Sequence, residues 1–257
     1  MKVTVCQLDN RSRQIEGQLE ALKSHLAVEK SDFLLLPEMC FSDWMAADPT
    51  PDSETWQNSV ETHKDQIEKL NQYGVSAAIA SRPVIHPSGE FRNQAYLWSK
   101  PATVTPVHDK YYLPDEHQYW EASWYQRGEK QFGICEALGI KIGVQICTEM
   151  WFFEWARHFA RHQVDLLCIP RATPHESVRK WLAGGQAAAV CAGAYCLSSN
   201  LWNPPGEVAN CGGLGWIISP EGDVLAETSV EHPWVSLEID IDFSRHSKTT
   251  YPRYVKE

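Results

Sequence analysis

Three residues with reactive side chains each follow a short apolar run of the sequence. Glu38 comes after FLLLP, Lys110 closes the segment ATVTPVHDK, and Cys147 comes after IKIGVQI. In α/β proteins the carboxyl ends of the strands are where reactive groups are presented. A carboxylate, an ammonium and a thiol in these places could serve as a base, an oxyanion stabiliser and a nucleophile. Such a set could cut a carbon–nitrogen bond through a covalent thioester.

Each of the three also has a purely structural interpretation. Cys147 precedes a predicted helix, whose N-terminus favours a thiolate and a nearby oxyanion, but a cysteine at a strand end is often simply buried. Glu38 is expected at a sheet edge with little solvent. There it must meet a cation, carry a raised pKa suited to a general base, or cap a turn. Lys110 must be paired at such an edge or else be an ordinary exposed lysine.

The charge and the apolar pattern argue against several classes of function. The chain has 257 residues and a formal net charge of -10, which disfavours nucleic acid or an anionic membrane as a partner. No apolar run approaches the roughly 18–20 residues of a membrane-spanning helix. The N-terminal segment MKVTVCQLDNRSRQ turns polar after one short strand and lacks the long apolar core of a signal peptide. We therefore expect a cytoplasmic protein.

The eight cysteines and ten histidines indicate neither disulfides nor a metal site. Most of the cysteines lie inside or beside apolar segments, where a free cysteine behaves as a small hydrophobic residue. No CxxC pair occurs. His158 and His162 are spaced to share a helical face but lack the glutamate of an HExxH motif, so an exposed helix face is the better interpretation. We expect reduced thiols, no metal and no cofactor.

Short apolar runs alternate with amphipathic stretches along the chain, which predicts an α/β protein with mixed sheets. Helices are predicted over about 11–29, 53–73, 151–161 and 177–192. Strands are predicted in KVTVCQ, DFLLLPE, GVSAAIAS, RNQAYLWS, ATVTPVHDK, QFGICEA, IKIGVQIC, VDLLCIP, AYCLSSN, LGWIIS, DVLAE and WVSLEID. The tail from Phe243 onward is polar and has no period. No linker divides the chain, so a single domain over residues 1–257 is expected.

The three reactive residues lie in segments that resemble the motifs of the nitrilase superfamily of carbon–nitrogen hydrolases. In that family the catalytic glutamate follows an apolar strand as PE, the lysine opens K-x-x-L-P, and the cysteine lies in G-x-x-I-C. The matching segments here are Pro37-Glu38, Lys110 through Pro114, and Gly143 through Cys147. A second family glutamate, shortly after the lysine, matches Glu121. The segments occur in the family's order, and the resemblance covers nearly the whole chain.

The resemblance implies a fold and a role for each of these residues. The fold would be a four-layer α-β-β-α sandwich, commonly dimerised through helix faces, so a homodimer or higher homo-oligomer is expected. Glu38 would take the thiol proton as Cys147 attacks an amide-type carbonyl. Lys110 and the backbone N–H of Thr148 would stabilise the oxyanion. Glu121 would hold Lys110 and help to position the substrate.

The sequence departs from the family pattern just after the nucleophile. The family often has an aromatic residue and Asp after the cysteine, where this chain has Thr148-Glu149. It often has Pro before the glutamate of the following helix, where this chain has Phe153-Glu154. We expect these positions to be structural, so the differences bear on the subfamily more than on the chemistry.

Aromatic residues follow both the lysine and the cysteine and predict a narrow, apolar entrance for a small substrate. Tyr112 and Trp151 are among those predicted to contact substrate, although core packing or a dimer contact would explain each equally well. Arg171 follows the apolar strand VDLLCIP. It is predicted to hold a substrate carboxylate through a bidentate contact, or else to form a structural ion pair.

The first interpretation of function is a thiol amidohydrolase acting on a small linear amide or an N-carbamoyl compound. A true nitrilase, or an acyltransferase that passes the thioester to an amine, would use the same three residues, so the sequence leaves these open. The competing class is a binding or structural protein on the same scaffold. It is disfavoured because all four expected polar residues are present. The predicted partner is therefore a small-molecule amide.

Overall fold

Two mixed sheets, joined through their central strands, form the middle of the molecule in a computed structural model that describes residues 1–255. The first sheet contains, in spatial order, β5 (Thr103–Asp109), β4 (Phe91–Ser99), β3 (Ala77–Ile85), β2 (Phe33–Leu35) and β1 (Lys2–Leu8), with β12 (Trp234–Glu238) antiparallel to β1. The second contains β6 (Ile134–Ala137), β7 (Ile140–Val144), β8 (Leu166–Arg171), β9 (Tyr195–Leu201), β10 (Trp216–Ile218) and β11 (Val224–Glu227). The sheets join where Gln7 pairs with Asn200 and Leu8 with Leu201.

The described helices are α1 (Ile15–Glu29), α2 (Ser53–Lys69), α3 (Glu121–Trp124), α4 (Phe153–Arg161), α5 (Val178–Ala192) and α6 (Ile241–Ser247). The first two pack on the first sheet, and α5 packs on the second sheet with α4 beside it. Strand β2 shows why layers form: Leu34 belongs to the apolar cluster shared with α1 and α2, whereas Phe33 and Leu35 belong to the cluster shared with the second sheet. Successive strand residues point to opposite faces of a sheet. The result is the expected four-layer α-β-β-α arrangement.

Several element boundaries differ from the sequence prediction. The polar tail contains a helix, α6, whose first turn is capped by the Asp240 carboxylate and whose Ser244 is fully buried. The helix predicted from about residue 151 starts at Phe153 and is preceded by a 3₁₀ turn over Cys147–Trp151. Apolar periodicity does not register a short helix held by caps and buried serines, which explains the missed α6.

Within residues 1–255 no helix is long and apolar enough to cross a membrane. The same range contains no group of three or more His, Cys, Asp or Glu side chains placed to hold a metal ion. The eight cysteines are all free thiols.

Candidate active site

The three predicted reactive residues follow strands whose carboxyl ends lie on the same side of the molecule. Strand β2 is parallel to β3, and β5 runs in the same direction because β4 is antiparallel to both of its neighbours. Glu38 follows β2 and Lys110 follows β5, so the first sheet presents both side chains at one edge. Cys147 follows β7 of the second sheet. The site is therefore assembled from both sheets.

Lys110 lies at the centre of the site. Its Nζ donates to Glu38 Oε1 at 2.7 Å and to Glu121 Oε2 at 2.6 Å, and all three side chains are fully buried. Burial by itself disfavours the ammonium, but the two carboxylates overcome it and raise the pKa of Lys110. The lysine is therefore a buried cation.

The two carboxylates differ in their other contacts. Glu38 Oε1 also accepts from Asn93 Nδ2 at 2.8 Å, and Glu121 Oε2 accepts from the Tyr125 hydroxyl. Burial raises the pKa of Glu121 to about 7. The nearby Glu38 carboxylate adds to this effect, and Lys110 opposes it. Glu38 Oε2 and Glu121 Oε1 are buried and have no hydrogen-bond partner among the described residues. Each glutamate thus keeps one oxygen available for a proton or a substrate group.

Cys147 is 2% exposed, and its Sγ lies 3.7 Å from the carbonyl oxygen of Ala172. Burial raises the pKa of the thiol well above its ordinary value, the Glu38 carboxylate adds to this, and Lys110 opposes it. The expectation that the surroundings of Cys147 favour a thiolate is therefore wrong for the free protein, since the cysteine is buried and the helix that follows it starts only at Phe153. A neutral thiol of this kind needs a base to become a nucleophile.

The backbone at Cys147 adopts φ 51°. This left-handed conformation is uncommon for a residue with a side chain, costs about 1–3 kcal/mol, and is concentrated at functional sites. The strained residue is the first of the 3₁₀ turn that follows β7.

Cys147 and Glu121 lie at the wall of a cavity of about 580 Å³. The predicted substrate-contacting residues Tyr112, Thr148 and Trp151 also line it. Tyr112 stacks on Phe152 with ring centroids 3.4 Å apart, which gives one wall a flat aromatic surface. The aromatic residues predicted near the site are present in this wall, but charged side chains line the cavity as well, so the wall is not the purely apolar one that the sequence predicted.

Arg171 does not reach the cavity, so the prediction that it holds a substrate carboxylate is wrong. Its side chain is fully buried, donates to Ser198 Oγ, Thr173 Oγ1 and the Leu214 carbonyl, and stacks on the Trp216 ring at 3.9 Å. No carboxylate within the described chain pairs with it, so the alternative of a structural ion pair is also wrong. A position after an apolar strand does not reveal whether a side chain points along the strand or back into the core.

Sequence reasoning missed several residues of the site. Asn93 in β4 and Tyr125 after α3 hold the two glutamates, but neither belongs to a recognisable motif. Other charged side chains at the cavity were also missed: Asp115, Arg127 and Lys180. Only their places in the fold bring these residues together.

Comparison with known proteins points to one family. A sequence model described as carbon-nitrogen hydrolase matches residues 2–248. The chain is 26% identical over 240 residues to a 2-oxoglutaramate amidase of Bacillus subtilis, covering 90% of this chain and 88% of that protein. It is 24% identical to an omega-amidase of Xenopus laevis, covering 64% of this chain and 62% of that protein.

Solved structures show the same fold at low identity. A carbon-nitrogen hydrolase from Helicobacter pylori superposes with a TM-score of 0.86 at 18% identity, covering 100% of this chain and 95% of that one. An amidase from Nesterenkonia superposes with a TM-score of 0.78 at 18% identity, covering 95% of this chain and 92% of that one.

Proposed function

Since the chain belongs to the carbon-nitrogen hydrolase family, and is therefore a hydrolase that acts on carbon–nitrogen bonds, we propose that it is a thiol amidohydrolase of small linear amides or N-carbamoyl compounds. The observation that carries this proposal is the buried Lys110 ammonium held between two carboxylates, each with an unused oxygen, beside the Cys147 thiol. These groups supply a proton acceptor, a positive charge and a nucleophile in one water-poor place.

In the proposed acylation, Glu38 Oε2 accepts the thiol proton while Sγ of Cys147 attacks the substrate carbonyl carbon. A sulfur–carbon bond forms, and the carbonyl oxygen becomes an oxyanion. Lys110 and the backbone N–H of Thr148 stabilise that charge. Glu38 returns the proton to the nitrogen, the carbon–nitrogen bond breaks, and ammonia or an amine leaves a thioester on Cys147.

In the proposed deacylation, water attacks the thioester carbonyl carbon and gives a proton to Glu38. The sulfur–carbon bond then breaks, the carboxylic acid leaves, and the proton returns to the Cys147 sulfur. This sequence needs a base that is free of other contacts, which the unpartnered oxygen of Glu38 provides. Glu121 holds Lys110 in place throughout.

We also propose that the substrate carries a carboxylate at the end remote from the amide. With Arg171 excluded, Lys180 in the first turn of α5 is the candidate that selects it, since its ammonium lines the cavity 5.8 Å from the Trp151 ring centroid. Relatives named 2-oxoglutaramate amidase and omega-amidase support this substrate class.

The deciding experiment is incubation with a panel of small amides while ammonia release is followed. Glutaramate and valeramide form a matched acid and neutral pair, and a nitrile series and added hydroxylamine would reveal nitrilase or acyl-transfer activity. We expect ammonia from the acid amide and none with the Cys147→Ala variant. Turnover that persists without the thiol would contradict the mechanism.

A homo-oligomer and a cytoplasmic location stay predictions. Gel filtration with light scattering would test the oligomeric state.

A further inference from the structure

A second buried carboxylate lies two residues after the nucleophile. Glu149 is fully buried, and each of its oxygens accepts a backbone N–H: Oε1 from Tyr111 at 2.7 Å and Oε2 from Ile146 at 2.8 Å. Tyr111 directly follows Lys110, and Ile146 directly precedes Cys147. One carboxylate is thus bonded to the chain beside both residues.

The partner of Glu149 is His108 in β5. Its Nε2 lies 2.9 Å from both carboxylate oxygens, and its Nδ1 lies 3.0 Å from the carbonyl oxygen of Gln131. A carbonyl oxygen can only accept, so Nδ1 carries a proton. Both oxygens of Glu149 already accept backbone N–H groups, which is the pattern of an ionised carboxylate, so Nε2 carries a proton as well.

His108 is therefore a buried imidazolium paired with a buried carboxylate. Burial opposes the charged ring, but the Glu149 carboxylate and the hydrogen bonds raise the pKa of His108 above its ordinary value. The Phe132 ring stacks on the imidazole with centroids 4.2 Å apart, which fixes the ring plane.

This ion pair crosses between the two sheets. His108 and Lys110 come from the end of β5 in the first sheet, whereas Glu149 and Cys147 come from the segment after β7 in the second. The reacting groups of an active site must be held to within about 0.5 Å, and an error of about 1 Å can cost 10²-fold in rate. Two groups on separate sheets need a connection of this kind close to them.

We propose that Glu149 and His108 are positioning residues, which hold Lys110 and the strained turn at Cys147 at a fixed separation. The polar atoms of both side chains are already bonded within the protein, so we assign neither of them a contact with the substrate. The pair acts through the backbone on each side of it. The kinetic consequence rests on the proposed function, whereas the geometry of the thiol can be tested without it.

The main test compares Glu149→Gln with a matched control, Asp165→Asn. Asp165 is also a buried carboxylate that accepts a backbone N–H, from Lys141 at 2.9 Å, but it lies at the opposite, amino end of β8. With glutaramate as substrate, Glu149→Gln should lower kcat by roughly 10²-fold and change KM by less than about threefold. Asp165→Asn should leave both within about threefold. A kcat for Glu149→Gln equal to that of the control would overturn the proposal.

A second variant covers the case in which Glu149→Gln does not fold. His108→Gln keeps one N–H donor for Glu149 but loses the charge and the contact to Gln131, so kcat should fall by about tenfold with KM unchanged. An unaltered kcat in this variant would overturn the proposal as well.

Alkylation of Cys147 by iodoacetamide separates this inference from the proposed function. The reaction forms a sulfur–carbon bond, releases iodide and transfers the thiol proton to a base, so its rate reports on the placement of the thiol near Glu38. Peptide mass spectrometry should show slower labelling of Cys147 in Glu149→Gln than in Asp165→Asn. If the wild type hydrolyses no amide, the proposed function fails, yet this comparison still decides the positioning role. Equal labelling rates would refute it.

Discussion

Replacement of Lys110 by Met tests the centre of the site most directly. Met has a similar length and no charge, so the Lys110→Met variant leaves Glu38 and Glu121 buried with no cation between them. Their remaining side-chain donors are Asn93 and Tyr125. Two effects should follow, one on catalysis and one on stability.

The catalytic effect is the loss of an oxyanion donor and of the group that spaces the two carboxylates. Removal of one oxyanion-stabilising donor costs roughly 10²–10³ in kcat. Because Lys110 also holds Glu38, we expect a total fall of at least about 10³-fold.

The stability effect comes from breaking a buried ion pair, which costs about 3–5 kcal/mol. For a chain of this size each kcal/mol lowers Tm by about 2–4 °C, so the variant should melt roughly 6–20 °C below the wild type near pH 7. In the variant the buried negative charge is relieved only when the folded state takes up protons. The folded state then binds more protons than the unfolded state, so the deficit should shrink as the pH is lowered.

The assay is thermal unfolding followed by circular dichroism between about pH 5 and pH 7. The control is Lys248→Met, since Lys248 is a buried lysine whose Nζ contacts the Gly193 carbonyl and Ser244 rather than a carboxylate. Its Tm difference from wild type should not vary over this range. A Lys110→Met deficit that is equally independent of pH, or full activity in that variant, would refute a Lys110 ammonium that stabilises two buried carboxylates.

Three further predictions concern the other groups of the site. Cys147→Ala should abolish ammonia release and leave Tm close to that of the wild type. Glu38→Gln should slow alkylation of Cys147, because the neutral thiol then lacks its base. Rapid labelling in Glu38→Gln would contradict this. Glu121→Gln should lower kcat by roughly 10²–10⁴-fold. The pKa of Glu121 is raised from 4.5 to about 7 in the folded protein, so the unfolding free energy of the wild type should fall as pH rises between these values. Glu121→Gln should remove this contribution to the pH dependence, which denaturation at several pH values would show. Arg171→Met should destabilise the protein without altering the preference for glutaramate over valeramide. Lys180→Met should raise KM for glutaramate alone by about tenfold. Equal KM changes for both amides would show that Lys180 does not select the carboxylate.

Much of the architecture could be predicted because it depends on local pattern. The apolar run FLLLP has to be a buried strand, and a carboxylate directly after it has to find a partner in a dry place. The same reasoning applied to Lys110 and Cys147, so three separate segments predicted one site. The motif order then identified the family before any contact was known.

The error at Arg171 shows where such reasoning ends. Glu38 and Arg171 both stand near the carboxyl end of an apolar strand, and the chain around them looks alike in character. In the structure Glu38 faces Lys110, whereas Arg171 is held in the core by Ser198, Thr173 and Leu214. The partners of Arg171 lie 2, 27 and 43 positions away along the chain. No local pattern encodes them.

The sequence by itself determined which side chains could react, because a thiol, an ammonium and a carboxylate each follow an apolar strand and occur together in the motif order of one family. Only the tertiary structure decided how they act. It buried the Lys110 ammonium together with both carboxylates, raised the pKa of the Cys147 thiol by burial, and connected the two sheets through His108 and Glu149. Each of these depends on distances between segments far apart in the chain. Electrostatic energies change steeply with such distances and with exclusion of water, and neither can be read from residue order.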